Sequence, residues 1–376
     1  MQLPEITTAL VIFAVYSFAY LVQLWFYLWV FIRLAFYKKK PCEGNTPPAS
    51  IVICARNEDD NLVEFLPMVL DQDYPEYEVV VVNDCSFDNT GDVLEEFAKK
   101  HSRLKIVTIK EDEYYSHGKK FAVMVGIKGA AHEHLLFTDG DCKPNSRDWL
   151  RNMMCEMKGE TEIVLGYGGY EKVKGLLNKI IRFDSFYIAL QYLSFCLAGR
   201  TYMGVGRNLA YKKSLFFKMK GFASHYYIES GDDDLFVNEA ATKRNSKIEI
   251  AVSSHTTSRV KRTFMSWIWQ KRRHISTASF YNFATKWRLF WLTFSQWLFF
   301  ASFVTLLCLN EQLYVVLGMF LLRMILQLLI FKKSMDKLGE KDLIFFTPLL
   351  EIALMFFYPV LVLSNLFLKK NKWKRT

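Results

Sequence analysis

Asp139 and Asp141 stand one residue apart in the stretch LLFTDGDCKPN, at the end of an apolar run. An apolar segment that ends in acids reads as a buried strand delivering them to its carboxyl end, where open α/β sheets place ligands. Two carboxylates flanking one glycine suit a hard divalent ion. Mg2+ or Mn2+ takes one or two protein carboxylates and completes its shell with waters and phosphate oxygens. A catalytic aspartate and a plain turn are the other readings, since acid pairs are common in turns.

Asp84, in VVNDCSFDNT, ends a second apolar run. It either caps the following loop or helix or accepts hydrogen bonds from a nucleobase or ribose. Lys119 and Lys120, in GKKFAV, are either a solvated pair or a partner for a diphosphate. Asp232, Asp233 and Asp234 lie ahead of a helical pattern. Acids favour helix N-termini, but three in a row exceed what capping needs. Their repulsion raises at least one pKa, which suits a general base. Arg272 and Arg273 either bind lipid headgroups or neutralise a phosphate leaving group.

Several elements have to position these groups. ASIVICARNEDDNL is a β-branched strand that breaks into a polar turn and then a helix. YEVVVVNDCSFDNTGDV repeats that form, and LKIVTIK and HEHLLFTDGD are third and fourth strands. Strands alternating with helices predict a mostly parallel, Rossmann-like sheet covered on both faces, with Asp84, Asp139 and Asp141 converging on one edge. The apolar helix in NKIIRFDSFYIALQYLSFCLAG lies either against a membrane or under the sheet. YMGVGRNLAYKKSLF is a Gly-rich loop feeding a strand. In KRTFMSWIWQKRRHIS, Phe264, Trp267, Ile268 and Ile275 share one helical face ringed by cations, the composition of an amphipathic helix at a membrane surface.

The chain has 376 residues, with 51% hydrophobic and 16% aromatic residues and a net charge of +10. Its apolar residues concentrate at residues 9–36, 289–309, 313–331 and 343–368, each near or above the roughly 20 needed to span a bilayer. The first run is too long for a signal peptide and lacks a basic start, so it reads as an anchor. Lysines after it, and Lys332, Lys333, Lys337 and Lys341, place the globular part and the 332–341 loop on the cytoplasmic side. The basic tail KKNKWKRT would then fall outside. Either the last segment does not fully cross or the charge rule is broken. Much of the positive charge flanks these runs, which favours anionic headgroups over nucleic acid as its partner. Arg323 and Glu351, inside the runs, need partners or a polar cavity. Seven cysteines with no CxxC pair fit a reducing compartment.

ARNE, Asp84 before Ser86, GKKFAV, DGD, GVGRNLAY, GDDDLFVN and QKRRH occur in the order found in membrane-integrated family 2 glycosyltransferases of the GT-A fold, which the chain resembles from about residue 48 to 280. Ceramide glucosyltransferase is similar in its arrangement of spans, and the hyaluronan and chitin synthase group is similar in GDDDLFVN. A haloacid-dehalogenase type of phosphatase also uses DxD, but wants Thr or Val where this chain has Lys143.

The resemblance implies an anchor at 1–40, a cytosolic GT-A domain at 41–260, an interfacial helix region at 261–288 and further spans at 289–376. It implies a nucleotide site at Ala55, Arg56, Glu58 and Asp84, with Lys119, Asp139, Gln270 and Arg273 on the diphosphate side. Asp141 and Asp139 would hold Mg2+ or Mn2+. Asp233, next to Asp232, would be the catalytic base. Gly204, Gly206, Asn208 and His274 would lie on the acceptor side. His274 replaces the tryptophan that follows the motif arginine in processive synthases, which favours a single transfer from a nucleotide sugar, expected to be a UDP-sugar, to a membrane lipid. A processive polysaccharide synthase and a non-catalytic sugar-nucleotide-binding membrane protein are the alternatives. An integral membrane protein with a cytoplasmic catalytic domain is expected, in the cell membrane if the source is bacterial.

Overall fold

The computed structural model describes residues 8–39, 46–110, 118–228 and 230–367. Helix α1 (Thr8–Trp25) continues through a π-helical stretch (Phe26–Phe31) into α2 (Ile32–Ala35). The globular part follows as β1 (Ala49–Ala55), α3 (Asp59–Leu70), β2 (Tyr77–Asp84), α4 (Thr90–Lys100), β3 (Leu104–Ile109), α5 (Lys119–Gly129) and β4 (His134–Asp139). Then come β5 (Cys142–Pro144), α6 (Trp149–Cys155), β6 (Ile163–Leu165), β7 (Gly168–Tyr170) and the long α7 (Leu176–Leu197). The order closes with β8 (Leu209–Lys212), α8 (Lys213–Lys218), α9 (Asp234–Ala240), β9 (Ser246–Ile248), β10 (Thr256–Ser258), α10 (Phe264–Ile275), α11 (Phe283–Leu309), α12 (Leu313–Leu338) and α13 (Thr347–Phe367).

A seven-stranded sheet has the order β3-β2-β1-β4-β8-β6-β9, and a three-stranded one the order β5-β10-β7. β1, β2, β3 and β4 run parallel, whereas β8 is antiparallel to both β4 and β6. This is a mostly parallel, Rossmann-like GT-A sheet flanked by helices. The strands of its centre are buried on both faces, which is why they read as unbroken Val/Ile/Leu runs. The pairing of Cys54 with Asp139, and of Ala55 with Asn83 next to Asp84, brings the strand ends to one edge.

Five helices are long and apolar enough to cross a membrane: Thr8–Ala35, α7, α11, α12 and Lys341–Asn365. Four of these coincide with the apolar runs in the sequence. α7 is the fifth, and its place is inside, where Phe183, Phe186, Leu190 and Leu193 join the core beneath the sheet. The α11–α12 turn uses the left-handed region at Asn310 and Gln312. The basic tail 368–376 lies outside the described residues. Cys155 is disulfide-bonded, whereas Cys142 and Cys196 are buried free thiols.

One residue of the apolar face expected for α10 needs correction. The Trp267 ring does not face outward: it is buried and stacks on Phe357 of α13, with ring centres 4.7 Å apart. Phe264 and Met265 are the exposed apolar residues of this helix.

Candidate active site

The turns after β1 and β2 are laced together. Asn57 and Cys85 both adopt positive φ, at 55° and 54°. Asn57 N–H donates to Ser86 Oγ (3.0 Å), and Asn57 Oδ1 accepts from Phe87 N–H (3.1 Å). Strained backbone held by such cross-bonds is common where a ligand is positioned. Ala55 and Asp84 are buried beneath this lip, with Arg56 beside them. Glu58 carries a carboxyl pushed up to about 7, first by burial and then by Asp141 and Asp139, against the opposing bond from Asn61. Gly140 allows this approach, because a Cβ there would meet Glu58 Cγ at 3.3 Å.

Lys119, at the start of α5, joins the DGD turn to the GDDD loop. Its ammonium lies 2.8 Å from Asp139 Oδ1 and 3.2 Å from Asp232 Oδ2. Burial pushes the Asp139 carboxyl up, but Lys119, Arg207 and Arg273 together outweigh it and hold the group below its ordinary value. The Asp141 carboxyl is raised, first by burial and then by Asp139. Ligand atoms of Asp139, Asp141 and Cys142 fall within 4.8 Å of one another. The two carboxylates fit a hard divalent ion. Cys142 does not: its thiol is buried and bonded toward Asp141 and Ser258. Lys120 is not a solvated twin of Lys119, because it donates to the carbonyls of His225 (2.6 Å) and Ile228 (2.9 Å) and shapes the loop instead.

The three acids of the GDDD loop have separate surroundings. Gly231 has φ +98°, and a Cβ there would lie 2.5 Å from Leu235 Cδ1, so the loop turns where only glycine fits. Asp232 pairs with Lys119. Asp233 caps α9 through Oδ1, which accepts from Asp234 N–H at 2.8 Å. Its Oδ2 accepts from Gly206 N–H at 2.7 Å. Burial, then Asp232 and Asp234, push the Asp233 carboxyl up to about 7. Asp234 is more than a helix cap: it is buried and accepts from Thr277 Oγ1 and from Tyr281 OH (2.8 Å). Asp139, Lys119, Gly206, Asp232 and Asp233 line one cavity.

Of the residues expected beside an acceptor, Gly206 borders this cavity and two do not. Asn208 is fully buried. It accepts from Trp149 Nε1 (3.0 Å) and donates to the carbonyls of Tyr167 (2.9 Å) and Ser254 (2.8 Å), so its amide is a strut between α6 and the segments leading into β7 and β10. Gly204 packs under Leu209 and Leu165, where a Cβ would come within 2.9 and 3.1 Å of their methyls. The backbone path of a Gly-rich loop is not readable from sequence, so which of its residues face the cavity is decided only by the fold.

On α10, Gln270 Nε2 reaches Tyr170 OH at 3.4 Å, and the Arg273 charge acts on Asp139. His274 is exposed on this helix. Arg272 points the other way, to Asn365 Oδ1 at 2.9 Å, and does not join the site. The sequence reading overlooked Arg207, between Gly206 and Asn208. Its guanidinium lies 4.4 Å over the Tyr170 ring and its charge lowers both Asp139 and Asp141. A cation inside a Gly-rich loop was the available signal.

The glycosyl transferase family 2 description matches residues 50–218. A poly-beta-1,6-N-acetyl-D-glucosamine synthase of Staphylococcus epidermidis is 35% identical over 92 residues, covering 24% of this chain and 21% of that protein. Glycosyltransferase AglE of Haloferax volcanii is 34% identical over 115 residues, covering 30% and 36% respectively. The matched stretches thus span well under two thirds of these relatives. Among solved structures, mannosyltransferase PcManGT from Pyrobaculum calidifontis, in complex with GDP-Man and Mn2+, has a TM-score of 0.57 at 17% identity. It covers 90% of this chain and 96% of that one, and shows the shared fold. Strand order, the DGD turn and the family match agree: the chain carries a family 2 glycosyltransferase domain on a GT-A fold.

Proposed function

We propose that the protein is an inverting glycosyltransferase that moves one sugar from a nucleotide-diphosphate sugar, most simply a UDP-sugar, to a hydroxyl of a membrane lipid. The observation that carries this reading is Asp233. Its carboxyl is fixed by the Gly206 N–H, raised to about 7, and shares one cavity with Asp139. A base with that pKa is poised for proton transfer near neutral pH.

The β1 and β2 turns, through Ala55, Arg56, Glu58 and Asp84, would hold the nucleotide. Asp141 and Asp139 would hold a divalent ion, which supplies positive charge to the diphosphate. Asp233 accepts the acceptor hydroxyl's proton as that oxygen bonds to the anomeric carbon. The bond from this carbon to the diphosphate breaks on the opposite face, so the configuration inverts. Arg273, Gln270, Arg207 and Lys119 surround the departing diphosphate and offset its charge. Asp232 keeps Lys119 in place, and His274 borders the acceptor side. The long apolar helices next to the domain support a membrane location, with the domain on the cytoplasmic face.

Single transfer is supported by the tryptophans of α10. Trp267 is stacked on Phe357 and the Trp269 ring lies 4.7 Å from the Arg272 guanidinium, so neither is available as a sugar platform beside His274. Processive synthesis is the second reading, favoured by the relative that is a polysaccharide synthase. The test is to incubate purified protein with UDP- and GDP-sugars and total membrane lipid, with Mg2+ or Mn2+, and weigh the products. A lipid heavier by one sugar, lost in excess chelator, is expected. A regularly spaced ladder would establish polymerisation instead, and absence of any transfer across the panel would overturn the assignment.

A further inference from the structure

Helix α13 is about 31 Å long at 1.5 Å per residue, enough to cross the roughly 30 Å core of a bilayer. Its contacts set it apart from the other long helices. α1–α2, α11 and α12 each have one end at the catalytic domain and the other far from it. Arg33 Nη1, just before the end of α2, reaches Leu197 O of α7 (3.5 Å). Asn282 N–H, before α11, donates to Asn238 Oδ1 of α9 (2.9 Å). Lys337 Nζ, at the end of α12, donates to Tyr37 O (2.7 Å). The opposite ends of these three helices meet one another: Tyr16 OH donates to Val316 O (3.0 Å), and Asn310 and Glu311 form an exposed turn.

α13 is held at the domain at both ends. Ahead of it, Arg182 of α7 donates to Glu340 Oε2 (2.9 Å) and Asp342 Oδ2 (2.9 Å), and Lys172 Nζ to Gly339 O (2.6 Å). Near its far end, Arg272 of α10 donates to Asn365 Oδ1 (2.9 Å) and Ser364 O (3.2 Å), and Asn365 Nδ2 returns a bond to Arg272 O (3.1 Å). Between these points Tyr358 bonds to Asp184, which stands only two residues along α7 from Arg182. A helix leaving the domain at Thr347 would be about 27 Å away by Asn365. These bonds leave no room for such a departure. The side of α13 turned away from the domain carries an apolar stripe, with Leu349, Ile352, Phe356, Val360, Leu363 and Phe367 exposed and Phe356 edge-on to Trp297 of α11; Val362 is exposed outside this stripe.

We infer that α13 does not cross the membrane: it lies in the leaflet next to the catalytic domain, its apolar stripe against acyl chains and both of its ends on the domain's side. The inference rests on the reading that α1, α11 and α12 cross. Lipid is the occupant that the stripe fits, because the residues that follow Phe367 include Lys369, Lys370, Lys372, Lys374 and Arg375, cations suited to the headgroups above a half-inserted helix. With the tail on that side, the conflict with the charge rule disappears.

The experiment uses the full chain with Cys308→Ser, in sealed vesicles of known orientation. Lys99→Cys, Glu311→Cys and Thr376→Cys are labelled singly with a membrane-impermeant maleimide and read by peptide mass spectrometry against detergent-opened vesicles. Thr376→Cys should label together with Lys99→Cys, and Glu311→Cys only in the opposite orientation. Thr376→Cys labelling with Glu311→Cys, or in both orientations, overturns the inference. Equal labelling of Lys99→Cys and Glu311→Cys would instead sink the membrane-spanning reading itself. In a second arm, a fluorophore at Leu349→Cys, Val360→Cys or Phe367→Cys is quenched by lipids brominated at different depths. One common depth is expected. A Val360→Cys probe lying deeper than both others means a crossing helix, and no quenching means that protein, such as a second copy, covers the stripe; either result overturns the inference.

Discussion

Two clusters of buried charge in this molecule are built on opposite principles. Within the apolar bundle, Arg323 is matched: it donates to both oxygens of Glu351 and to Gln23 and Gln327, and Gln296 completes the carboxylate. At the sheet edge, Glu58, Asp139, Asp141, Asp232 and Asp233 outnumber the cations Lys119, Arg207, Arg273 and Lys261 whose charges act on them. A network that only has to hold helices together pairs its one cation with its one carboxylate. One that has to accept a metal ion and a proton keeps a surplus of negative charge, and burial together with the neighbouring Asp232 and Asp234 raises the Asp233 carboxyl to about 7.

The largest effect should come from the unmatched cluster. Asp233→Asn keeps the size of the side chain and, through the amide oxygen, one of its two bonds to backbone N–H groups, but cannot take a proton. Turnover should fall by roughly 10²–10⁴-fold, while calorimetry finds nucleotide-sugar binding within a few-fold of the parent. Loss of binding in parallel with rate would make Asp233 a donor ligand and remove it as the base.

The matched cluster should answer in stability instead. Arg323→Met leaves the Glu351 carboxylate buried without its cation, which costs about 3–5 kcal/mol and should be visible as a lowered melting temperature in detergent. Replacing both, as Arg323→Met with Glu351→Met, should recover most of that loss, because the desolvation of two ions disappears with their attraction. Transfer activity per folded molecule should stay near the parent value in the double variant. A double variant that folds well and transfers nothing would show that this network serves the reaction, and the contrast between the two clusters would fail.

How much of this was legible beforehand depends on whether a residue's role is local. β1, β2 and β4 were readable because strands buried on both faces leave unbroken β-branched runs, and the DGD and GDDD acids were readable because they end or begin such elements. The short strands β5, β7 and β10 carry no pattern of their own; their three residues each are placed by the surrounding chain. Asp234 looked like a simple helix cap, yet its partners Thr277 and Tyr281 are 43 and 47 positions away. Asn208 and Arg207 are adjacent in sequence but face a strut and a cleft, which only the backbone path of the loop decides. Arg272 and Arg273 are likewise adjacent on one helix, and tertiary packing against α13 separates them.

The smallest effect sharpens the account of the surplus charge itself. The Asp233 carboxyl is raised to about 7 by burial first and by Asp232 second. For the general base, kcat/KM should therefore rise with pH through a midpoint near 7, since only the ionised form accepts a proton. Folding responds with the opposite sign. A carboxyl raised in the folded state contributes stability that is fully present below its unfolded value of about 4 and is lost as pH rises through about 7. Asp232→Asn removes the nearest negative neighbour and also frees Lys119, whose charge lowers the Asp233 carboxyl, from one of its two partners. Both changes favour the ionised base, so the rising limb should move to lower pH while burial keeps it above the ordinary carboxylate range. One unit below the midpoint only about a tenth of the base is ionised, so acid pH is where the variant gains most relative to its own plateau. The measurement is the pH dependence of kcat/KM for parent and variant, each normalised to its plateau. A limb that stays in place would mean that burial alone sets the base, and that the surplus of acids serves the metal ion only.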